Sequence, residues 1–130
     1  MHLRTPLALL LPLVACGGGG STQSPDAAVQ VDAGPPTVRT VACLPGTVPT
    51  VTTSDTNDTS YMPPSTGISV GGIVKFVMSP SHNVAPNPIR ASDPGLNVGF
   101  GATACLEFDK AGTFSFICTV HSFAGTITVQ

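Results

Sequence analysis

The stretch "GTFSFICTVHSFAGTITV", residues 112–129, consists of two segments of alternating apolar and polar residues joined by a short turn. Alternation with a period of two is typical of a β-strand with one buried face. The predicted inward side carries Phe114, Phe116, Cys118, Ile127 and Val129. Thr113 and Ser115 are predicted to point outward. A thiol at Cys118 and an imidazole at His121 therefore share the turn between two strands, and the rest of the sequence has to explain them.

The same alternation appears upstream, in "GIVKFVMSPSHNV" at 72–84. Lys75 is expected to face water, which turns Val74, Phe76 and Met78 toward the core, and His82 continues that parity. In "CLEFDKAG" at 105–112, Leu106 and Phe108 are predicted to point inward, Glu107 and Asp109 outward, and "DKAG" to form a hairpin turn.

Further strands are predicted at 38–43 and 48–53, and loops at 54–66 and 83–101. About seven or eight short strands separated by turns indicate an all-β sandwich.

The composition agrees with this fold class and limits the function. The chain has 130 residues, enough for one domain, with 14 Gly and 13 Pro that favour strands and turns over long helices. Charged residues make up 9% of it and the formal net charge is −2. Without a basic patch, nucleic acid is excluded as an expected partner.

The N-terminal region is predicted to lie outside the folded domain. Residues 1–15 have a basic start and a short apolar run, as a secretory signal does. They end in "LVAC", which resembles a bacterial lipobox with Cys16 as the acylated residue. The alternative is a plain signal peptide with a chance cysteine. Residues 16–37, rich in Gly and Pro, are expected to form a flexible tether, and residues 38–130 the folded domain.

This leader predicts an exported bacterial lipoprotein on the periplasmic side of the outer membrane or at the cell surface. The lipid anchor would be its contact with the membrane. In that oxidising compartment three cysteines remain, Cys43, Cys105 and Cys118. Cys43 ends a predicted strand and Cys105 begins one, whereas Cys118 has a histidine close by. We therefore predict a Cys43–Cys105 disulfide and a free Cys118.

Two histidines follow the leader, His82 and His121, and both lie where predicted strands end. Together with the thiolate of Cys118 they form the His₂Cys set that is typical of blue-copper sites. The alternatives are two surface histidines without a metal and a buried structural thiol.

Residues 67–130 resemble the cupredoxin family, the small blue-copper proteins typified by plastocyanin and amicyanin. Three segments carry the resemblance: "HNV" at 82–84, "AGTFSFICTVH" at 111–121 and "GTITV" at 125–129. The resemblance implies one type 1 copper ion held by His82, Cys118 and His121, with the Ser81 carbonyl near the metal. It also implies an eight-stranded Greek-key sandwich.

The sequence departs from the family at the axial ligand, which is normally a methionine after the second histidine. Ala124 is nearest that position if the last strands are aligned, and Thr126 if residues are counted from His121. Neither side chain is a thioether, and Met62 and Met78 are poor substitutes. The metal would either stay three-coordinate, which should raise its reduction potential, or take an oxygen from Thr126, the Ser81 carbonyl or water, which should lower it. We expect a three-coordinate copper, and we expect Ala124→Met to lower its reduction potential.

The resemblance implies a carrier of single electrons rather than an enzyme. We expect it to be a monomer, and the predicted lipid anchor would tether it to a membrane. A redox protein would dock on the apolar surface around His121, which is framed by Pro86, Pro88, Phe123 and Ala124. Two alternatives belong to other classes of function. One is a copper-binding or delivery protein without a redox partner, and the other is a fold that has lost copper and acts as a recognition module.

Overall fold

The computed structural model describes residues 35–90 and 92–130, apart from the side chain of Asp58. The predicted signal at 1–15, the lipidated Cys16 and most of the tether lie outside the described residues. Within the described ranges, no helix is long and apolar enough to span a membrane.

The described chain forms nine strands in two sheets, which confirms the all-β sandwich and gives one strand more than the upper number predicted. The strands are β1 Val38–Val41, β2 Thr50–Ser54, β3 Asn57–Met62, β4 Ser65–Ile68, β5 Gly72–Val77, β6 Ala85–Pro86, β7 Thr103–Phe108, β8 Gly112–Ile117 and β9 Ala124–Val129. The first sheet has the order β1-β7-β5-β2-β3 and the second β4-β9-β8-β6. Two neighbouring pairs are parallel, β2 with β5 and β4 with β9, and the remaining strand pairs are antiparallel.

The core lies between the sheets and is lined by the side chains that alternation predicted. Those side chains are Val74, Phe76, Met78, Leu106, Phe108, Phe114, Phe116, Cys118, Ile127 and Val129, all of them buried. Burying such residues supplies most of the free energy of folding, at roughly 25 cal/mol per Å² of apolar surface.

The prediction of a loop at 54–66 is wrong. This segment contains β3 and the start of β4, which are edge strands of the two sheets. Because edge strands are partly exposed, they carry many polar residues. The Thr and Ser residues of this segment therefore hide the alternation of apolar and polar residues that would have predicted strands. Tyr61, which is fully buried, is the core residue that this error concealed.

The predicted loop at 83–101 is mostly irregular, but it contains the short strand β6 and a bridge between Val84 and Val98. This segment also explains why Ser115 is buried, contrary to the prediction. The amide of Asn87 donates to the Ser115 hydroxyl at 3.0 Å, and the Ser92 hydroxyl donates to the Ser115 carbonyl at 2.7 Å. A polar loop therefore covers the outward face of β8.

The structure contains the predicted disulfide between Cys43 and Cys105, which are 62 residues apart in sequence. It links the segment after β1 to the neighbouring strand β7, in which Cys105 pairs with Val41. Cys118 is a free, buried cysteine.

Candidate metal centre

His82, Cys118 and His121 come from two connections of the sandwich. His82 lies in the loop after β5, while Cys118 follows β8 and His121 lies in the turn to β9. Asn83 joins these connections, because its side-chain oxygen accepts hydrogen bonds from the Thr119 backbone N–H at 2.9 Å and from the Thr119 hydroxyl at 3.1 Å.

The turn between β8 and β9 is closed by its own backbone. The N–H of Ser122 donates to the Cys118 carbonyl at 2.9 Å, and the N–H of Cys118 donates to the Phe123 carbonyl at 3.1 Å. Ser122 has a φ of 60°, in the left-handed region that residues other than Gly, Asn and Asp seldom adopt. This tight turn brings His121 back over the thiol of Cys118.

The Cys118 Sγ lies 3.7 Å from the His121 Nδ1. An ion bonded to sulfur and imidazole nitrogen at about 2.0–2.3 Å, as zinc is, holds the two donor atoms roughly 3.5–4 Å apart. The pair therefore has the spacing that two ligands of one metal require.

The environment of Cys118 favours its thiolate. Burial raises the pKa of the thiol, but hydrogen bonds from the backbone N–H groups of Asn83, His121 and Val120 and from the His121 side chain lower it by more. The net result is a pKa below the ordinary value. A thiolate is the form of cysteine that binds metals.

His82 is fully buried, and its ring centroid lies 4.8 Å from that of His121. Its Nδ1, however, faces two oxygens, the Ser79 hydroxyl at 2.8 Å and the Asp55 carboxylate at 3.3 Å. The structure thus places the three predicted ligands near one another. The Nδ1 of His82, however, already contacts Ser79 and Asp55. Over 35–90 and 92–130, no group of three or more His, Cys, Asp or Glu side chains is already arranged to hold a metal.

The predicted axial residues Ala124 and Thr126 lie on the outer face of β9. They pair with Ile117 and Ser115, whereas Gly125 pairs with the inward-facing Phe116. Strand parity therefore directs Ala124 away from the core, and its side chain is exposed.

The ring of Phe123 lies beside both histidines. Its ring centroid lies 5.3 Å from that of His82 and 6.2 Å from that of His121, and it is stacked parallel to His121. Its edge packs on Tyr61, with the ring centroids 4.7 Å apart. An apolar ring thus occupies the space beside both imidazoles.

Three further residues were weighed from the sequence as donors near the metal: Ser81, Met62 and Met78. The N–H of Ser81 donates to Asp55 at 3.2 Å, Met62 is exposed, and Met78 is buried in the core. Sequence reasoning missed Asp55, Ser79 and Tyr61. Asp55 and Tyr61 act through contacts between segments that are distant along the chain, whereas Ser79 lies only three residues before His82.

Comparison with known proteins identifies the fold. No protein-family model matches the sequence, and no curated protein matches it. Among solved structures, amicyanin from Paracoccus versutus is 19% identical with a TM-score of 0.55, and the match covers 74% of this chain and 100% of that one. A reduced Cu(I) form of an amicyanin variant is 19% identical with a TM-score of 0.54, covering 72% of this chain and 99% of that one. The described chain therefore has the cupredoxin fold.

Proposed function

We propose that this protein binds one copper ion through Cys118, His121 and His82 and carries single electrons between redox partners. The observation that carries the proposal is the 3.7 Å approach of the Cys118 sulfur to the His121 Nδ1, beside a buried second histidine. The amicyanins that share this fold include one solved in its Cu(I) form, and that likeness supports copper as the cofactor here.

The chemistry of the donor set fits copper. Sulfur is a soft ligand suited to Cu(I), and imidazole accommodates both oxidation states. When bound, copper would supply a one-electron redox couple. The protein supplies a lowered thiol pKa at Cys118 and a turn held closed by backbone hydrogen bonds. A rigid ligand frame limits the reorganisation that accompanies a change of charge.

The proposed docking surface for a redox partner surrounds His121, which is half-buried. Val120, beside it in the turn, is 62% exposed, and Pro86 and Ala124 are also exposed. With only 9% charged residues in the chain, docking at this surface depends on apolar burial more than on long-range charge steering.

We also propose that the domain is tethered to a membrane through lipid on Cys16. The support is the lipobox-like "LVAC" and the Gly-rich segment that follows it. Cys16→Ser should move the protein from the membrane fraction to the soluble fraction. Continued fractionation with membranes would refute this anchor.

The optical spectrum of the purified protein after addition of Cu(II) tests the copper site. We expect an intense visible band from thiolate-to-copper charge transfer, which is lost in Cys118→Ser and changed or lost in His121→Ala. Ser122→Ala serves as the matched control, since it alters an exposed residue of the same turn. Absence of the band in the unmodified protein would overturn the copper site and favour the recognition module. A band without electron exchange with any redox protein would favour copper delivery.

A further inference from the structure

The loop after β6 carries an exposed apolar side chain next to an exposed cation. Ile89 is 85% exposed, the highest value among the large apolar residues that the structure describes. Arg90 follows it directly and is exposed as well. Within residues 35–90 and 92–130, none of the ion pairs involves Arg90. Both side chains are therefore available to another molecule.

The base of this loop is fixed to strand β8 by hydrogen bonds. The side-chain amide of Asn87, which is buried, donates to the Ser115 hydroxyl at 3.0 Å, and the Asn87 backbone N–H donates to the Ser92 hydroxyl at 3.0 Å. The side-chain oxygen of Asn87 accepts a hydrogen bond from the N–H of Ile89 at 3.1 Å, which sets a local turn. These bonds hold the chain on both sides of Ile89 and Arg90, so the fold itself places the two side chains at the surface.

The loop lies at the edge of the docking surface that we propose around His121. Strand β6 leads into the loop and ends at Pro86, an exposed residue of that surface. Ser115, to which the loop is bonded, is three residues before Cys118, a distance of about 10 Å along a strand. A typical protein interface covers about 800 Å² on each partner and is roughly 30 Å across. One partner can therefore cover His121 and Ile89 together.

The two side chains favour a particular kind of partner. An isoleucine this exposed gains free energy when an apolar pocket buries it, and a guanidinium pairs best with carboxylates, to which it donates two parallel hydrogen bonds. The surface that fits the loop is therefore an apolar pocket rimmed by Asp or Glu side chains. Anionic lipid would also attract Arg90, but one cation on a chain of net charge −2 contributes little membrane affinity, which favours a protein.

We infer that Ile89 and Arg90 determine partner specificity, and that the redox partner is an acidic protein whose apolar pocket takes Ile89 and whose carboxylates pair with Arg90. This inference rests on the proposed electron-transfer function. Contacts at this loop select the partner and its orientation, while the electron passes at the metal centre. A charge at the rim of an interface acts mainly on the association rate and its dependence on salt.

NMR of the metal-free protein tests the docking site without requiring copper. The probes are two small c-type cytochromes, one acidic and one basic. We expect the acidic cytochrome to shift the amide resonances of Ile89 and Arg90, and the basic one to leave them in place. Arg90→Gln and Ile89→Ser should each weaken binding of the acidic cytochrome about three- to tenfold. Added salt should reduce the effect of Arg90→Gln more than that of Ile89→Ser.

Two matched controls remove the same chemistry elsewhere on the surface. Lys110→Gln removes an exposed cation in the turn between β7 and β8, at the opposite end of β8 from Cys118. Leu44→Ser removes an exposed apolar side chain after β1. Both variants should bind the acidic cytochrome within about twofold of the unmodified protein, since charges beyond a Debye length are screened and Leu44 lies outside the proposed interface.

Electron exchange with the acidic cytochrome is the second readout. The reduced, copper-loaded protein gives one electron to the ferric cytochrome, so the protein is oxidised and the haem iron is reduced. Stopped-flow absorbance measures the second-order rate constant at low and high salt. We expect Arg90→Gln and Ile89→Ser to lower this constant about three- to tenfold at low salt, and Lys110→Gln to leave it within about twofold.

Two results would overturn the inference. One is equal binding of the acidic and basic cytochromes, or equal effects of the loop variants and their controls. The other is broadening of the Ile89 and Arg90 resonances by phosphatidylglycerol vesicles added to the Cys16→Ser variant, which would assign the loop to the membrane. Failure of the proposed function gives a different pattern. A protein that shows no visible band with Cu(II), yet binds the acidic cytochrome through Ile89 and Arg90, refutes electron transfer while the docking site stands.

Discussion

The hydroxyl of Tyr61 donates a 2.6 Å hydrogen bond to the backbone carbonyl of Asn83. Tyr61 is fully buried, and its ring packs edge-on against Phe116 at 4.7 Å between centroids. Since Asn83 follows His82 directly, this bond connects strand β3 to the loop that holds a proposed ligand. Tyr61, which the sequence analysis placed in a loop, thus stabilises the segment that carries His82.

Tyr61→Phe should destabilise the protein by about 1–3 kcal/mol, because it leaves the Asn83 carbonyl without its donor while keeping the ring. Chemical denaturation of the metal-free protein measures this difference. Ser60→Ala, on the same strand, is the control and should stay within about 0.5 kcal/mol. Equal stabilities of the two variants would show that solvent replaces the Tyr61 hydroxyl at no cost.

Removing the Cys43–Cys105 disulfide should cost on the order of 4 kcal/mol, since the bridge closes a loop of 62 residues and restricts the unfolded chain. The double variant Cys43→Ala with Cys105→Ala tests this by denaturation. Thiol counting on the unreduced protein supplies the check on pairing, because Cys118→Ser should remove one titratable thiol and leave the bridge intact. A count that Cys118→Ser does not change would place Cys118 in a disulfide.

The thiol of Cys118 should ionise at lower pH in the folded metal-free protein than in the unfolded chain. Burial opposes ionisation, but the surrounding hydrogen bonds favour it more strongly. Since the folded pKa is the lower one, this stabilisation is complete above the unfolded pKa and is lost as the pH falls through the folded pKa. Ultraviolet absorption of the thiolate follows the titration, with Cys118→Ser as the blank.

His121→Ala isolates one of those hydrogen bonds. It removes the side chain that faces the sulfur and should raise the titration midpoint of Cys118 toward that of the unfolded chain. An unchanged midpoint would show that the backbone N–H groups alone lower the pKa.

Sequence alternation predicted the sandwich and most of its core, because both depend on neighbours along one strand. The three candidate ligands were predicted instead from the His₂Cys set and the family resemblance. Alternation failed where burial comes from elsewhere in the chain. Ser115 is polar and was expected outside, yet the loop containing Asn87 covers it. Of the two oxygens that face His82, the one from Asp55 comes from a distant connection that no sequence spacing indicates. The other belongs to Ser79, which lies only three residues before His82.

Gly125→Ala should destabilise the protein by about 1–3 kcal/mol through overpacking. A Cβ at this position would overlap the ring of Phe116 and lie 3.0 Å from that of Tyr61. Gly67→Ala is a matched control on the neighbouring strand β4, where a Cβ has no atom within 4 Å. Denaturation should separate the two variants, and equal stability would show that the Phe116 ring moves aside without cost.

The last prediction concerns the missing axial thioether. Phe123 lies beside both imidazoles, whereas Ala124 is on the outer face of β9. Phe123→Met should therefore bring a thioether to the proposed copper, favour Cu(II) by adding a donor, and lower the reduction potential while keeping the visible band. Ala124→Met, which the alignment of the last strands favoured, should leave the potential unchanged.

Comparing the two variants distinguishes the effect of where the methionine points from a general effect of introducing a methionine. Both carry one new methionine, at adjacent positions where the turn ends and β9 begins, so a general effect of a more flexible side chain would move both potentials alike. Spectroelectrochemical titration of the two proteins measures the difference. If Ala124→Met lowers the potential and Phe123→Met does not, the start of β9 has the opposite parity in the copper-bound protein, and Phe123 lies outside the site.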